Sequence, residues 1–266
     1  MNHLLIFDQS FSLTTLIKTQ LNSLYDLSNI QFSIDLSKNK DNITYKTCLC
    51  LSLTQIQTQP PLYLAQNIAN IFNQSYSKQD IFVKVSDDIW LEFIIGDRLI
   101  NQWLNEVNKI EFLELKTSIK NKKNQVNFIN YYIHARCCSI LKSAHEDNII
   151  KINNLKFTIN QWCIEKPSMI NYQVLSLSAA SYEQKLIREL ILITEKMANN
   201  KLNYQTSLIN LGKAILDVEC YCRIWGEIKI KNLKISQARL GLIAIGLYYY
   251  QNLFYIQFQQ DLPLEI

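Results

Sequence analysis

The chain has 266 residues, of which 48% are hydrophobic and 19% charged, and its formal net charge is +4. This length and apolar content suffice for one large domain or two ordinary ones, and they exclude a disordered chain. With only 5 Gly, and with no GxGxxG or GxxxxGK[ST] motif, no glycine-rich phosphate-binding loop is expected. The mild basic charge permits a nucleic-acid partner without requiring one.

The seven cysteines are odd in number, and the first residues lack the pattern of a secretory signal. We therefore expect reduced thiols and an intracellular protein, cytoplasmic or organellar, including a plastid-like stroma. Cys48-x-Cys50 and Cys220-x-Cys222 lack the ligand spacing of zinc sites, so no metal and no cofactor are expected. The longest apolar run, Leu240–Tyr250, is too short to span a membrane, and no membrane partner is expected.

The first third of the chain reads as mixed α and β. An apolar stripe predicts a helix over Ser10–Leu24, and alternation predicts a strand over Ile30–Leu36. Pro60-Pro61 is typical of the first turn of a helix. Two alternating runs around Asp87-Asp88 predict a β-hairpin, and a short helix over Asp97–Val107 follows.

Composition shifts at residues 109–126, where lysines cluster, and we place a linker at 109–123. Such a cluster is usually a solvated surface, but Lys120, Lys122 and Lys123 are also candidates for a nucleic-acid-binding patch.

The second part reads as a bundle of at least four helices. Four segments carry the helical pattern: a helix capped by Asn127 and running through Lys142, Lys185–Met197, Ser207–Trp225 ended by Gly226, and a last helix capped by Ser236 and reaching Phe258. For residues 148–182 the sequence allows two interpretations, strands or a small insertion.

Residues 124–142, NQVNFINYYIHARCCSILK, resemble the opening helix of the DALR anticodon-binding domain of arginyl-tRNA synthetases. The segment QARLGLIAIGL resembles that domain's last helix. TCLCLSLTQIQTQPPLYLAQNIANIF and FVKVSDDIWLEFIIGDRLINQWL resemble the N-terminal add-on domain of the same enzymes. The resemblance implies an α+β N-terminal domain (1–108), the lysine-rich linker, and an all-α helical-bundle anticodon-binding-like domain (124–266).

The catalytic part of these synthetases has no counterpart here. HIGH-like and KMSK-like signatures are absent, and residues 108–124 leave no room for the ATP-binding domain. The resemblance therefore implies a non-catalytic, arginyl-tRNA synthetase-like protein that binds tRNA, with tRNA(Arg) as one candidate, and that needs no small-molecule substrate. The alternative is an interaction or assembly protein that reuses the fold to bind a protein partner.

By the same resemblance, Tyr132 and Arg136 match anticodon-contacting positions one helical turn apart, on one face. Tyrosine can stack on an unpaired base, and arginine can pair with phosphate. The alternative is that Tyr132 belongs to the core and Arg136 forms a structural ion pair. Tyr131 and Ile266 stand where the family has a glutamine and a terminal methionine, and both remain candidate RNA-binding residues.

In the add-on domain of family members a hairpin meets the tRNA, and the resemblance places the corresponding positions at Asp87, Trp90 and Glu92. Trp90 is a candidate RNA-binding residue, with a half-buried strand residue as the alternative. The two carboxylates are expected to oppose approaching phosphates. His134 is expected to be a satisfied helix-packing histidine, because nothing near it in sequence suits acid–base catalysis.

Overall fold

The computed structural model describes residues 11–38, 42–56, 58–86, 89–107, 127–175 and 181–264. The chain divides into two compact units, Met1–Trp103 and Leu104–Ile266. The predicted linker at 109–123 lies outside the described residues, and so do its three candidate lysines.

The first unit is an α/β domain built on a small antiparallel sheet of four strands. Its elements are α1 (Leu13–Leu24), β1 (Asp35–Leu36), β2 (Thr44–Thr47), α2 (Leu49–Leu53), α3 (Pro61–Tyr76), β3 (Ile81–Ser86), β4 (Trp90–Ile95) and α4 (Asp97–Val107), which continues past the boundary at Trp103. The strand order in the sheet is β1-β2-β4-β3.

Local sequence signals explain several of these elements. The Ser12 side chain accepts a hydrogen bond from the backbone N–H of Thr15 and so caps α1. The predicted proline-led helix, the hairpin and the helix over Asp97–Val107 are confirmed. The strand predicted over Ile30–Leu36 is shorter, since only Asp35 and Leu36 pair with β2.

One face of the sheet is covered and forms the core of the first unit. Buried and exposed residues alternate at the beginning of β3, as expected for a sheet with one solvated face, whereas in β4 only Trp90 is exposed. Phe72 of α3 packs edge-on against Phe93 of β4, with ring centroids 5.2 Å apart. The opposite face is partly open to solvent, at Phe82, Lys84 and Trp90.

The second unit is mostly helical. Its elements are α5 (Phe128–Glu146), β5 (Lys151–Ile152), β6 (Ile164–Lys166), α6 (Tyr182–Ala198), α7 (Tyr204–Tyr221), α8 (Glu227–Lys231) and α9 (Leu233–Phe258). The predicted cap of Asn127 on α5 is confirmed, because its side chain accepts from the backbone N–H of Ile129. Segment 148–182, left open by the sequence, contains the two-stranded β5–β6 sheet.

Two predicted helix ends are wrong. Helix α7 ends at Tyr221, and Gly226, with φ of 69°, begins α8 instead of ending α7. Ser236 does not cap α9, which begins at Leu233. The buried Ser236 hydroxyl instead donates to the carbonyl of Ile224 at 2.5 Å.

Helix α9 is the centre of the second unit. All residues from 240 to 254 are buried, including the fully enclosed rings of Tyr249 and Tyr250. The aromatic side chains of this helix are thus mostly core, and Tyr255 is the exception at 45% exposure. In the part of the chain that the structure describes, no helix combines the length and apolar character needed to cross a membrane.

Candidate nucleic-acid interface

One face of α5 carries exposed aromatic and basic side chains. Tyr132 is 40% exposed, so the alternative that it belongs to the core is wrong. Arg136 follows one turn later, and its side chain is 46% exposed. Phe128 and Ile129 extend the exposed surface to the beginning of the helix. This arrangement places a stackable ring and a guanidinium on one helix face, as the sequence predicts.

Arg136 also forms the ion pair that the sequence left as an alternative. Its Nη2 and Nε lie 2.6 and 3.0 Å from Oε1 of Glu219 on α7. These hydrogen bonds to Glu219 raise the pKa of Arg136. Close helix packing accompanies the pair, because a Cβ at Gly212 of α7 would lie 2.7 Å from Cδ1 of Ile133 on α5.

A groove of about 300 Å³ continues this face toward the chain that follows α7. Its lining includes the buried Ile140 and Ile224, which provide an apolar floor. The polar lining combines two guanidinium groups, those of Arg136 and Arg223, with the single carboxylate of Glu219. The groove therefore carries a formal charge of +1 (two positive charges and one negative).

Trp225 completes the lining of the groove. Its indole N–H donates to Oδ2 of Asp147 at 2.8 Å, and Lys229 contacts the same oxygen at 3.1 Å. These bonds fix the indole in the groove lining. Arg223 and Trp225 were not candidates from the sequence, because both fall within the helix predicted over Ser207–Trp225. Helix α7 instead ends at Tyr221, so both residues lie in the short segment before Gly226, whose positive φ of 69° suits a glycine.

The solvated face of the sheet carries a second set of candidate side chains. Cross-strand partners share a face, so Phe82 lies beside Ile94, and Trp90 lies beside Ser86. Phe82 is 56% exposed and Trp90 36%, so both rings reach solvent. Lys84 lies between them along the strand direction.

Glu92 on this face is neutralised by its neighbours, which corrects the expectation that it opposes phosphates. Its two carboxylate oxygens lie 2.5 Å from Nζ of Lys46 and 3.0 Å from Nζ of Lys84, and Ser86 donates to it at 2.8 Å. Although burial opposes ionisation, these hydrogen bonds lower the pKa of Glu92 to about 2. The carboxylate stays ionised, and the two lysines outweigh its charge.

Several predicted residues lie elsewhere or outside the described part of the chain. Tyr131 is half-buried and its ring packs against Phe254 of α9, with centroids 6.3 Å apart. The ring of Tyr131 thus serves helix packing. The prediction for His134 is confirmed, because it is 1% exposed and both ring nitrogens have partners. Asp87, Ile266 and the lysines at 120, 122 and 123 lie outside the described residues.

Four of the seven cysteines (Cys50, Cys137, Cys138 and Cys222) are buried, whereas Cys163 and Cys220 are exposed. Burial raises the pKa of Cys50 to about 11 and that of Cys222 to about 12. Thiols in such surroundings remain protonated near neutral pH, which makes them poor nucleophiles and poor metal ligands. Within the described ranges, His, Cys, Asp and Glu form no group of three or more that could hold a metal ion.

Comparison with known families identifies a relation for part of the first unit. Residues 12–86 match the family model of the arginyl tRNA synthetase N terminal domain, a segment that runs from the α1 cap to the end of β3. The first unit is therefore an arginyl-tRNA synthetase-like N-terminal domain. Comparisons with curated proteins and with solved structures return no match.

Proposed function

We propose that this protein binds tRNA without aminoacylating it, and that its helical unit serves as an anticodon-binding-like domain. The observation that carries the proposal is the groove beside α5. There Arg136, Arg223 and Trp225 line one cavity, and Tyr132 lies one turn before Arg136. Aromatic rings that stack on unpaired bases, next to arginines that contact phosphates, are the chemistry of single-stranded RNA binding.

The first unit supports the same proposal. Its match to a tRNA synthetase domain indicates a relation to proteins that handle tRNA. Its open sheet face offers the exposed rings of Phe82 and Trp90 near Lys84. The Lys46–Glu92–Lys84 cluster removes the electrostatic objection to RNA at this face. The negative charge of Glu92 is compensated by the two lysines, so the cluster as a whole does not repel phosphate.

The test is filter binding of purified protein to total tRNA with single-residue variants. Tyr132→Ala and Trp225→Ala should each weaken binding by about 1–3 kcal/mol, the usual value of one base–aromatic stack. Tyr255→Ala is the matched control for Tyr132→Ala, because Tyr255 is similarly exposed, at 45% against 40%, but lies on α9 instead of on the exposed face of α5. Loss of affinity in the Tyr132 and Trp225 variants with an unchanged control supports the proposal.

The second candidate is an assembly protein that uses the helical unit to bind a protein partner. Helix α8 favours it, because none of its five residues is buried and Ile230 is 84% exposed. Leu233, at the beginning of α9, is 42% exposed and adds to the same apolar segment. Weak tRNA binding that is indifferent to the groove variants, together with complex formation lost in Ile230→Ser, would favour this candidate.

A further inference from the structure

His134 is the centre of a buried polar network that joins four parts of the second unit. Its Nδ1 lies 2.8 Å from the carbonyl oxygen of Pro263, in the segment after α9. Its Nε2 lies 2.9 Å from the amide nitrogen of Gln251 on α9. Gln251 in turn contacts Phe157 and Trp162, in the segment between β5 and β6. The network therefore connects α5, the β5–β6 segment, α9 and the C-terminal segment.

The donors and acceptors fix one proton arrangement. The carbonyl of Pro263 only accepts, so Nδ1 of His134 carries the proton. The indole N–H of Trp162 only donates, so the oxygen of Gln251 accepts from it, at 3.0 Å. The amide NH₂ of Gln251 then donates to the carbonyl of Phe157 at 2.7 Å and to Nε2 of His134. Every polar group is satisfied by a neutral histidine with its proton on Nδ1.

The alternative arrangements each place like groups against one another. A proton on Nε2 would point at the NH₂ of Gln251, donor against donor. Turning the amide of Gln251 would set its oxygen against the carbonyl of Phe157 and its NH₂ against the indole N–H of Trp162. With Nδ1 unprotonated, two acceptors would face each other at Pro263. Buried mismatches of this kind are costly, so the network selects one state.

We propose that His134 is a positioning residue, whose Nδ1–H holds the segment after α9 against α5 through Pro263. Helix α9 ends at Phe258, and the next residue, Gln259, has a left-handed φ of 54° that turns the chain out of the helix before Pro263. Ile266, the predicted RNA-binding residue, follows Pro263 by three positions in sequence. The idea that this contact positions Ile266 for RNA rests on the proposed function. The docking of the C-terminal segment through Pro263 is independent of it.

Two variants of the full chain separate this role from a general structural one. In His134→Asn the side-chain amide can replace Nδ1 and keep the bond to Pro263, while the partner of Gln251 is lost. In His134→Gln the amide can replace Nε2 and keep Gln251, while the bond to Pro263 is lost. Each variant removes one of the two ring hydrogen bonds, so comparable thermal midpoints are expected.

Limited chymotrypsin digestion after Phe258 reports whether the C-terminal segment detaches. We expect release in His134→Gln to be about five- to tenfold faster than in the wild type, the effect of one lost hydrogen bond, and His134→Asn to stay within about twofold of the wild type. Equal release from the two variants would overturn the proposal. In the wild type, ¹⁵N NMR of the imidazole should show a protonated Nδ1, and a protonated Nε2 would also overturn it.

The proteolysis and NMR experiments are both done without RNA, so their results do not depend on whether the proposed function is correct. If the wild type does not bind total tRNA, the proposed function fails, while faster release from His134→Gln still supports the positioning role. If the wild type binds tRNA and the two variants release the segment equally, the positioning role fails and the proposed function stands.

Discussion

Arg136 on α5 and Glu219 on α7 form an ion pair, with Nη2 and Oε1 2.6 Å apart. The guanidinium that the sequence assigns to RNA therefore has a carboxylate partner in the free protein. In the proposed function, an approaching phosphate would compete with Glu219 for the same N–H donors, so the ion pair would limit the affinity of the groove for RNA.

Glu219→Gln is expected to tighten tRNA binding. The change removes the one carboxylate among the groove-lining residues and raises the formal charge of the groove from +1 to +2. Counterion release should then increase the steepness of the salt dependence by close to 0.7–0.9 in log K against log[salt]. Titrations at several salt concentrations measure both changes. Weaker binding by Glu219→Gln would mean that the carboxylate positions Arg136 for RNA.

Arg223→Ala should weaken tRNA binding and reduce the salt slope by nearly one unit. Arg223 is exposed in the groove lining, so its loss removes a positive charge without opening the core. Arg223→Lys keeps the charge and is the matched control. If alanine and lysine variants both bind like the wild type, Arg223 does not contact RNA.

The stability of the protein should fall as the pH drops below about 6.5. Burial lowers the pKa of His134, although the bond to Pro263 opposes the change. The unfolded chain therefore binds a proton at a pH where the folded chain does not. Stability is complete above the unfolded pKa and decreases between the two pKa values. Urea unfolding from pH 5 to 8 checks this, and His134→Asn should flatten the dependence. Cys138, whose Sγ lies 3.6 Å from Nε2, stays neutral because burial raises its pKa to about 12.

A second loss of stability is expected at lower pH, from Glu92. Its folded pKa of about 2 lies below the ordinary value of 4.5, so its contribution is present above 4.5 and is lost as the pH falls toward 2. The lowered pKa corresponds to roughly 3 kcal/mol of stability. Glu92→Gln should lower the free energy of unfolding at pH 7 and remove this acid step. An unchanged acid step in the variant would assign it to other carboxylates.

Local signals in the sequence were sufficient for much of the fold. The side-chain oxygen of Asn127 caps α5, Pro61 begins α3, and alternation around residues 87–88 specifies the hairpin. Each of these signals acts within a few residues. That Tyr132 and Arg136 share one face follows from their spacing, because residues four apart lie on the same side of a helix. Their assignment as RNA-binding candidates came from the family resemblance, and their exposure was not predictable from the spacing.

Contacts between residues that are far apart in sequence could not be predicted from such local signals. Ser236 looks like a cap, but its hydroxyl bonds to Ile224 across the α8 turn, and α9 begins three residues earlier. From the sequence, the carboxylate of Glu92 is expected to repel phosphate. The register of β2 and β4 places Lys46 beside it, and this lysine offsets the charge. Arg136 meets Glu219, 83 residues away, only through the packing of α5 on α7. Such pairs depend on tertiary register, which one sequence does not display.

The salt dependence of total tRNA binding to the wild type and to Arg136→Ala tests whether the groove beside α5 binds tRNA. We expect measurable affinity in the wild type that decreases steeply with salt, and a shallower dependence in the variant because one phosphate contact is lost. Weak wild-type binding that does not respond to salt, or identical curves for the two proteins, would contradict it.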